Sequence, residues 1–441
     1  MLNALDCDVL LIAKPFKLRV AAAQNAPPQQ RSHLSPSSSS TYTISTGTAN
    51  AVVLSVGING LGALRSLTTA GISCAVIFPS ADRNVRHSRY PHTKHRLPDD
   101  DQQTLLDALA PYAASGSVAI PSSDAFAEFL SRHRQSLTAQ GMRVIAPVDE
   151  VTRSLNDKRL EIETIGRHGI PLPRSVTRLS ADGDDLLARL SLPVIIKPRS
   201  FRDAGLISGK NVIVRNRVEL NAFLSSHQQE LDRFIAQEVI AGPDEDLWVC
   251  NCCFDENYKL RSAFTFQRIR TAPPHFGVTS FAISRNNKII KDRCAQIGAA
   301  LRYVGPAMIE FKYQRGLDEY IYIETNPRVG MCNIFDTRCG VNNVLTAYRL
   351  ARGEDPNTDP YQQIDGRYYL NPFADFAARC GDNEPLHEIF RSYWHARASI
   401  NAWPYYDPVD PMPAIHSVGR HASPALRALA RRLVFSLMRR S

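Results

Sequence analysis

The sequence predicts two architectures in succession: a small doubly wound α/β unit, then a larger α+β section built around a central antiparallel sheet. Three observations carry this. Continuous apolar runs alternate with helical stretches between Asn50 and Pro147, polar and apolar residues alternate around short turns from Asp246 to Pro327, and a Pro-, Ser- and Gln-rich stretch precedes both. Strands buried on both faces read as unbroken apolar runs, whereas half-buried antiparallel strands alternate.

Taken in order, residues 24–48, "QNAPPQQRSHLSPSSSSTYTISTGT", hold too little apolar surface to offset the entropy of ordering them, so residues 1–48 read as a flexible tail. "AVVLSVG" and "SCAVIF" read as buried parallel strands about a helix; "VAIP" followed by "SSDAFAEFLSRHR" repeats the pattern, and "VIAP" closes a unit at 49–148. "NDKRLEIETIGRHGIPLPRS" is a helix ended by Gly169 and Pro171, and "LPVIIKPRS" a strand that stops at Pro198. "DLWVCNCCFDENYKLRSAFTFQ" alternates around "DENY", and "AMIEFKYQRGLDEYIYIETNP" is a hairpin turning at "QRGLDE". At the end of the chain, Ser423 can cap a helix with Pro424 in its first turn. Leu426, Leu429, Leu433, Val434, Leu437 and Met438 form its apolar face, opposed by Arg427, Arg431, Arg432, Arg439 and Arg440. Docking on the protein itself or on a second copy is the ordinary fate of such a helix; attachment to an anionic membrane surface is the sharper one.

A chain of 441 residues suits two or three domains, and 44% hydrophobic with 22% charged residues is the texture of a globular protein. No apolar run approaches the roughly 20 residues that span a bilayer. The first residues read poorly as a secretory signal, which leaves the cytoplasm as the expected compartment. Nine cysteines, with "CNCC" at 250–253, match neither a paired CxxC zinc site nor a disulfide framework, so reduced, buried thiols are expected. The net charge of +9 suggests phosphorylated or anionic partners, while no recognised motif supports nucleic acid.

One stretch raises a competing possibility. "VGINGLGALRSL", residues 56–67, runs from strand through glycines into helix, but Gly57, Gly60 and Gly62 have the wrong spacing for a dinucleotide fingerprint. The acidic residue that motif places some 20 positions later is replaced by "AVIFPS". A nicotinamide-dependent oxidoreductase built on this loop stays as an alternative.

The last hairpin carries the most chemistry. If Glu310 and Glu324 oppose one another across the turn, both occupy one face, with Asn326 two residues beyond on that face. Two carboxylates and a carboxamide on rigid strands suit Mg²⁺, whereas ordinary solvated strand residues are the plain alternative. Like charges facing each other repel and call for a compensating cation. Arg328 follows closely and can hold a phosphoryl group bidentately. Lys197 ends an apolar strand and Lys158 begins a helix, both upstream of the hairpin. In "IAQEVIAGPDEDLWV", the connector Glu238, Val239 and Ile240 is placed to present backbone groups to a purine, and Asp246 to ribose hydroxyls.

In order, "NDK", "GIPLP", "PVIIKP", "AQEVIAG", "FQRIRTAPPHFGV", "GPAMIEFKY" and "IYIETNPRVG" resemble the landmarks of the ATP-grasp superfamily. The likeness is nearest its carboxylate-amine ligase branch, with D-aspartate-ligase-like and carbamoyl-phosphate-synthase-like members. It implies a Rossmann-like pre-ATP-grasp domain at 49–148, a two-lobed ATP-grasp domain at 149–350, and a C-terminal extension at 351–441. It further implies that Lys158 and Lys197 contact ATP phosphates, and that Glu238 with the backbone near Ile240 holds adenine. Asp246 then binds ribose, while Glu310, Glu324 and Asn326 hold two Mg²⁺ ions, for which Mn²⁺ is a substitute. Arg270 and Arg328 fall to the γ-phosphate or the acyl phosphate. The phosphate-covering loop departs from the pattern, since "PRSFRDAGLISGKN" carries only Gly205 and Gly209.

The activity implied is a two-step ligation. A substrate carboxylate attacks the γ-phosphate of ATP, and an amine, with amino acids favoured, displaces phosphate from the acyl phosphate. The expected partners are thus a small carboxylic acid and an amine, with a homodimer and peripheral membrane contact through 423–441 as further readings. His275 reads as a loop histidine before it reads as a base. The basic run Arg83, Arg86, His87, Arg89, Lys94 and Arg96 is a solvated face or a cradle for a substrate anion. A nucleotide-binding scaffold without turnover is the remaining alternative.

Overall fold

The computed structural model describes residues 48–418 except 83, 99, 100 and 210. The tail expected before Ala49 and the amphipathic helix expected at 423–441 therefore lie, but for residue 48, outside the described residues.

The apolar runs of the amino-terminal third form five strands: β1 (Ala51–Leu54), β2 (Cys74–Pro79), β3 (Thr93–Leu97), β4 (Val118–Pro121) and β5 (Arg143–Val144). They make one parallel sheet in the order β3-β2-β1-β4-β5. Each central strand is buried along its whole length because helices cover both faces. The chain reverses its winding between β1 and β4, the switch point at which open α/β sheets ordinarily receive ligands.

At that switch point the glycine loop opens the helix Gly57–Thr68, with Gly57 at a positive φ of 61°. Its anion site is already filled from within. The buried Asp82 carboxylate accepts from Gly57 N (2.8 Å), Ser55 Oγ (3.1 Å) and Asn84 N (3.0 Å). Burial pushes this carboxyl above the ordinary aspartate range, against the pull of those donors. A pyrophosphate would have to displace it, so the oxidoreductase alternative loses its cofactor site. The other glycines answer to packing: a Cβ on Gly60 would lie 2.0 Å from Ser55 Oγ, and one on Gly62 2.4 Å from Asn333 Oδ1.

Four short strands follow: β6 (Ser175–Val176), β7 (Val194–Pro198), β8 (Val212–Val214) and β9 (Phe234–Glu238). They form an antiparallel sheet in the order β6-β9-β7-β8. One face packs Val194, Ile196, Phe234 and Ala236 against Leu186, Leu220 and Phe223 of two helices.

The largest sheet holds β10 (Leu247–Phe254), β11 (Leu260–Ala272), β12 (Val278–Ser284), β13 (Gly305–Gln314), β14 (Glu319–Asn326), β15 (Tyr368–Leu370) and β16 (Ile400–Ala402). Its order is β14-β13-β10-β11-β12-β15-β16, antiparallel except for the last pair. The helix Lys288–Leu301 covers one face through Ile290, Cys294 and Ile297. Phe335 of the helix Asn333–Arg338 packs with Val249, Phe264, Phe266 and Met308 of the other. Residues after 350, which the sequence sets apart as an extension, supply β15 and β16 to this sheet. The first and third sheets share a core, in which Val53 and Leu64 meet Cys253, Val329, Val344 and Ala347.

Candidate active site

The hairpin of β13 and β14 brings the two glutamates face to face. Glu310 pairs directly with Glu324, and Met308 with Asn326, as the period of two requires. A bulge lies between Glu310 and the next pair, Phe311 with Tyr322, so one residue of β14 is left over near the site. Both carboxylates are buried, at 6% and 9% exposure, and each has a cation of the protein beside it. Arg268 reaches Glu310 Oε1 at 2.8 Å, and Lys158 Nζ reaches Glu324 Oε2 at 2.9 Å. The compensation that the facing charges demand is thus met by side chains.

Lys158 opens the helix Lys158–Gly166, whose first turn is capped by Asp157 accepting from Arg159 N and Leu160 N. Burial alone would depress its ammonium. The carboxylates of Glu324 and Glu161 outweigh that and hold it above the ordinary lysine value. Glu161, one turn along the same helix, accepts from Tyr322 OH (2.6 Å) and Thr325 N (2.7 Å). It thereby ties the helix to β14 on both sides of Glu324. Burial pushes its carboxyl up to about 7 despite Lys158 and these two donors.

Lys158, Glu324, Asn326 and Arg328 line a cavity of about 230 Å³ together with Glu161 and Asp124. Asp124 starts the helix after β4, at the carboxyl end of the first sheet, so the cavity wall is shared between two sheets. It accepts from Arg328 Nε at 3.1 Å, while Arg328 NH2 donates to Asn326 Oδ1 at 3.0 Å. Ser200, Phe201 and Ala204 bring the expected phosphate-covering loop to the same cavity.

Other expected residues are placed elsewhere. Lys197, on β7, donates to Gln237 Oε1 at 2.8 Å. The Glu238 carboxylate accepts from Ser191 N at 2.7 Å and pairs with Arg174 at 3.2 Å, and Val239 N bonds Pro193 O at 3.0 Å; Ile240, next along, is half-buried. Asp246 is buried and bound by Arg315 from two nitrogens, at 2.9 and 3.0 Å. Arg270, expected at the γ-phosphate or the acyl phosphate, lies apart from the carboxylate pair. An extra residue on β11 sets Arg268 opposite Ala282 and Arg270 opposite Phe281, adjacent residues whose side chains project to opposite faces. Arg270 is held by the fully buried Asp375 through two 2.9 Å bonds and lies over the Phe281 ring, while Arg268 takes the place beside Glu310.

Sequence reasoning missed Glu161, Asp124, Arg268 and Gln237. Glu161 was accessible from its i,i+3 spacing to Lys158, and Asp124 from its place after a parallel strand at the switch point. Nothing in the spacing announces the bulge that selects Arg268.

The donor set fits a hard divalent cation, which takes oxygen ligands: two carboxylates on paired strands and the carboxamide oxygen of Asn326, two residues beyond Glu324 and placed by Arg328 NH2. Residues 157–358 match the family described as carbamoyl-phosphate synthase L chain, ATP binding domain. The chain carries an ATP-grasp domain. Over 327 residues it is 23% identical to the biotin carboxylase of Haemophilus influenzae, covering 68% of this chain and 70% of that one. The ATP-grasp fold is seen in solved structures as well. A biotin carboxylase–β-γ-ATP complex from Campylobacter jejuni matches with a TM-score of 0.56 at 14% identity, over 73% of this chain and 74% of that one. An L-amino acid ligase from Bacillus licheniformis gives 0.54 at 14% identity, over 73% and 79%.

Proposed function

We propose that the protein is an ATP-dependent ligase that activates a small carboxylic acid as its acyl phosphate and joins it to an amine, releasing ADP and phosphate. The observation that carries this is the strand register that sets Glu310 against Glu324, with Lys158, Asn326 and Arg328 around one cavity in an ATP-grasp domain.

Glu310, Glu324 and Asn326 are the residues that would hold Mg²⁺ in this reading. Bound there, the ion would supply neutralisation of phosphate charge and orientation of the transferring group. Lys158, held charged at the cavity wall, and Lys197, on the smaller sheet, are suited to phosphate oxygens from two sides. Arg328 presents a fork at the end of β14, where a carboxylate or an acyl phosphate can exchange for Asp124. We keep Glu238, Val239, Ile240 and Asp246 as the adenine and ribose wall, and give the γ-phosphate position to Arg268 in place of Arg270. No side-chain nucleophile is required, because positioning and charge neutralisation are the main sources of rate in phosphoryl transfer. Residues Ser200, Phe201 and Ala204 line the cavity, and closure of their loop would keep water from the acyl phosphate.

The described cysteines are all free and buried, which together with ATP consumption suits the cytoplasm. No helix among the described residues is long and apolar enough to cross a membrane. The test is product analysis. With Mg²⁺, ATP and paired acids and amines, ADP and phosphate should appear only when both substrates are present, and Glu324→Gln should abolish them. AMP and diphosphate as products would overturn the scheme.

A further inference from the structure

On the reverse side of the sheet that carries Glu310, three sulfurs meet. Cys250 and Cys252 stand two apart on β10 and share a face, and Cys294 projects toward them from the helix Lys288–Leu301. All three are buried, and their Sγ atoms lie within 4.8 Å of one another. Cys294 joins this cluster from 42 residues beyond Cys252, which is why no CxxC spacing announces it.

The surroundings are apolar: Phe254, Ile290, Ile297 and Leu301 pack in the same core. Yet the helix also carries Lys291, three residues before Cys294 and so on the same face. Lys291 is fully buried, and its Nζ has no hydrogen-bond partner. An unpaired ammonium in an apolar core is strongly disfavoured unless an anion accompanies it. The groups that interact with it electrostatically begin with Cys250 and include Cys294, with Asp359 and Asp365 on a neighbouring segment.

We infer that Cys250, Cys252 and Cys294 form a binding site for one thiophilic closed-shell cation, Cu(I) or Zn(II), whose excess thiolate charge is offset by Lys291. Metal–sulfur distances of about 2.3 Å put the sulfurs of a three-coordinate site roughly 4 Å apart, a small contraction from the observed cluster. Soft thiolates select these two metals over hard cations such as Mg²⁺, so the site does not compete with the carboxylates across the sheet. The two ions divide the remaining arguments. Three donors with no fourth His, Cys, Asp or Glu among the described residues suit three-coordinate Cu(I). Zn(II) with three thiolates leaves one negative charge, which Lys291 cancels. Loading converts three S–H groups to thiolates and releases three protons to solvent. The bound ion would pin the helix Lys288–Leu301 to β10, directly beside β13, where Ile309 pairs with Cys250.

The full-length protein, produced in copper-supplemented and in zinc-supplemented cells and purified under reducing conditions, tests this by elemental analysis and by competition with chromophoric chelators of each metal. About one equivalent of copper or of zinc per chain is expected, and the two arms show which. Cys294→Ala should lose it, and Cys74→Ser, altering a buried thiol of β2, should keep it. Because core cysteine variants can fail to fold, Lys291→Met serves as the second probe. Removing an unpaired buried charge should leave the metal-free protein at least as stable, while metal retention against the chelator falls about tenfold or more. Less than a tenth of an equivalent of either metal, or retention unchanged in both Cys294→Ala and Lys291→Met, would overturn the site.

Discussion

Lys158 is the cation on which the charge balance of the cavity turns. Its ammonium sits 2.9 Å from Glu324, interacts electrostatically with Glu161, and both glutamates are buried. Replacing it with methionine leaves Glu161 and Glu324 without their shared counter-ion and Glu310 still directly opposite Glu324. Breaking one partner of a buried pair costs about 3–5 kcal/mol. Side-chain exposures of 23% and 12% and the adjoining cavity admit solvent, so about 2–3 kcal/mol is the expected loss for Lys158→Met. Glu324→Gln should cost less, about 1 kcal/mol, because Lys158 keeps Glu161. A double-mutant cycle by urea denaturation, followed through Trp248, Trp394 and Trp403, should then return a coupling of about 1–2 kcal/mol that shrinks little in salt. A coupling below about 0.5 kcal/mol would refute the argument that this pair is a buried, mutually dependent unit.

Glu161 makes stability fall as pH rises: its folded carboxyl is raised to about 7 from 4.5, so the folded state holds the proton more tightly, and stability present at low pH is lost across that window. Glu161→Gln keeps an oxygen for both Tyr322 and Thr325, and should flatten the slope by up to about 3 kcal/mol between the two limits, read as urea midpoints at several pH values. Gly62→Ala should destabilise by about 1–3 kcal/mol, since the new Cβ must push aside Asn333, whose Nδ2 bonds Asn59 O and Gly330 O. ATP binding measured by calorimetry should survive in whatever protein folds. Asp82→Ala strips the glycine loop of its acceptor and should cost about 2–3 kcal/mol; a selective gain of nicotinamide cofactor binding would reopen the reading that the fold sets aside.

The sequence made the strands and the carboxylate hairpin legible because both depend on local period. Alternation in "IEFKY" and "YIYIETNP" is sufficient to set Glu310 and Glu324 on one face once the turn is placed, and the register agrees. Arg270 shows where this stops. One inserted residue on β11 rotates a side chain to the other face, and the energy that selects the bulge comes from Phe281, Asp375 and neighbouring strands distant in sequence. Glu161 reads from the sequence as one more helix carboxylate, because its significance rests on Tyr322 and Thr325 being brought to it from more than 160 positions away. The three-sulfur cluster was hidden for the same reason.

The doubly wound sheet now has a physical role that its glycine loop alone would misstate. Its switch point is where an open α/β sheet normally receives a ligand, yet the helix N-terminus there is satisfied by Asp82, and Val56 N is taken by Ser122 Oγ. What the switch point offers outward is Asp124, which holds Arg328 at the edge of the cavity. The glycines serve the same end sterically: Gly62 lets the helix Gly57–Thr68 approach Asn333, seven residues beyond Asn326. The first sheet therefore acts as a wall that sets the position of β14 and its arginine. An acid substrate entering there would exchange its carboxylate for that of Asp124 at Arg328, beside the residues assigned to phosphate.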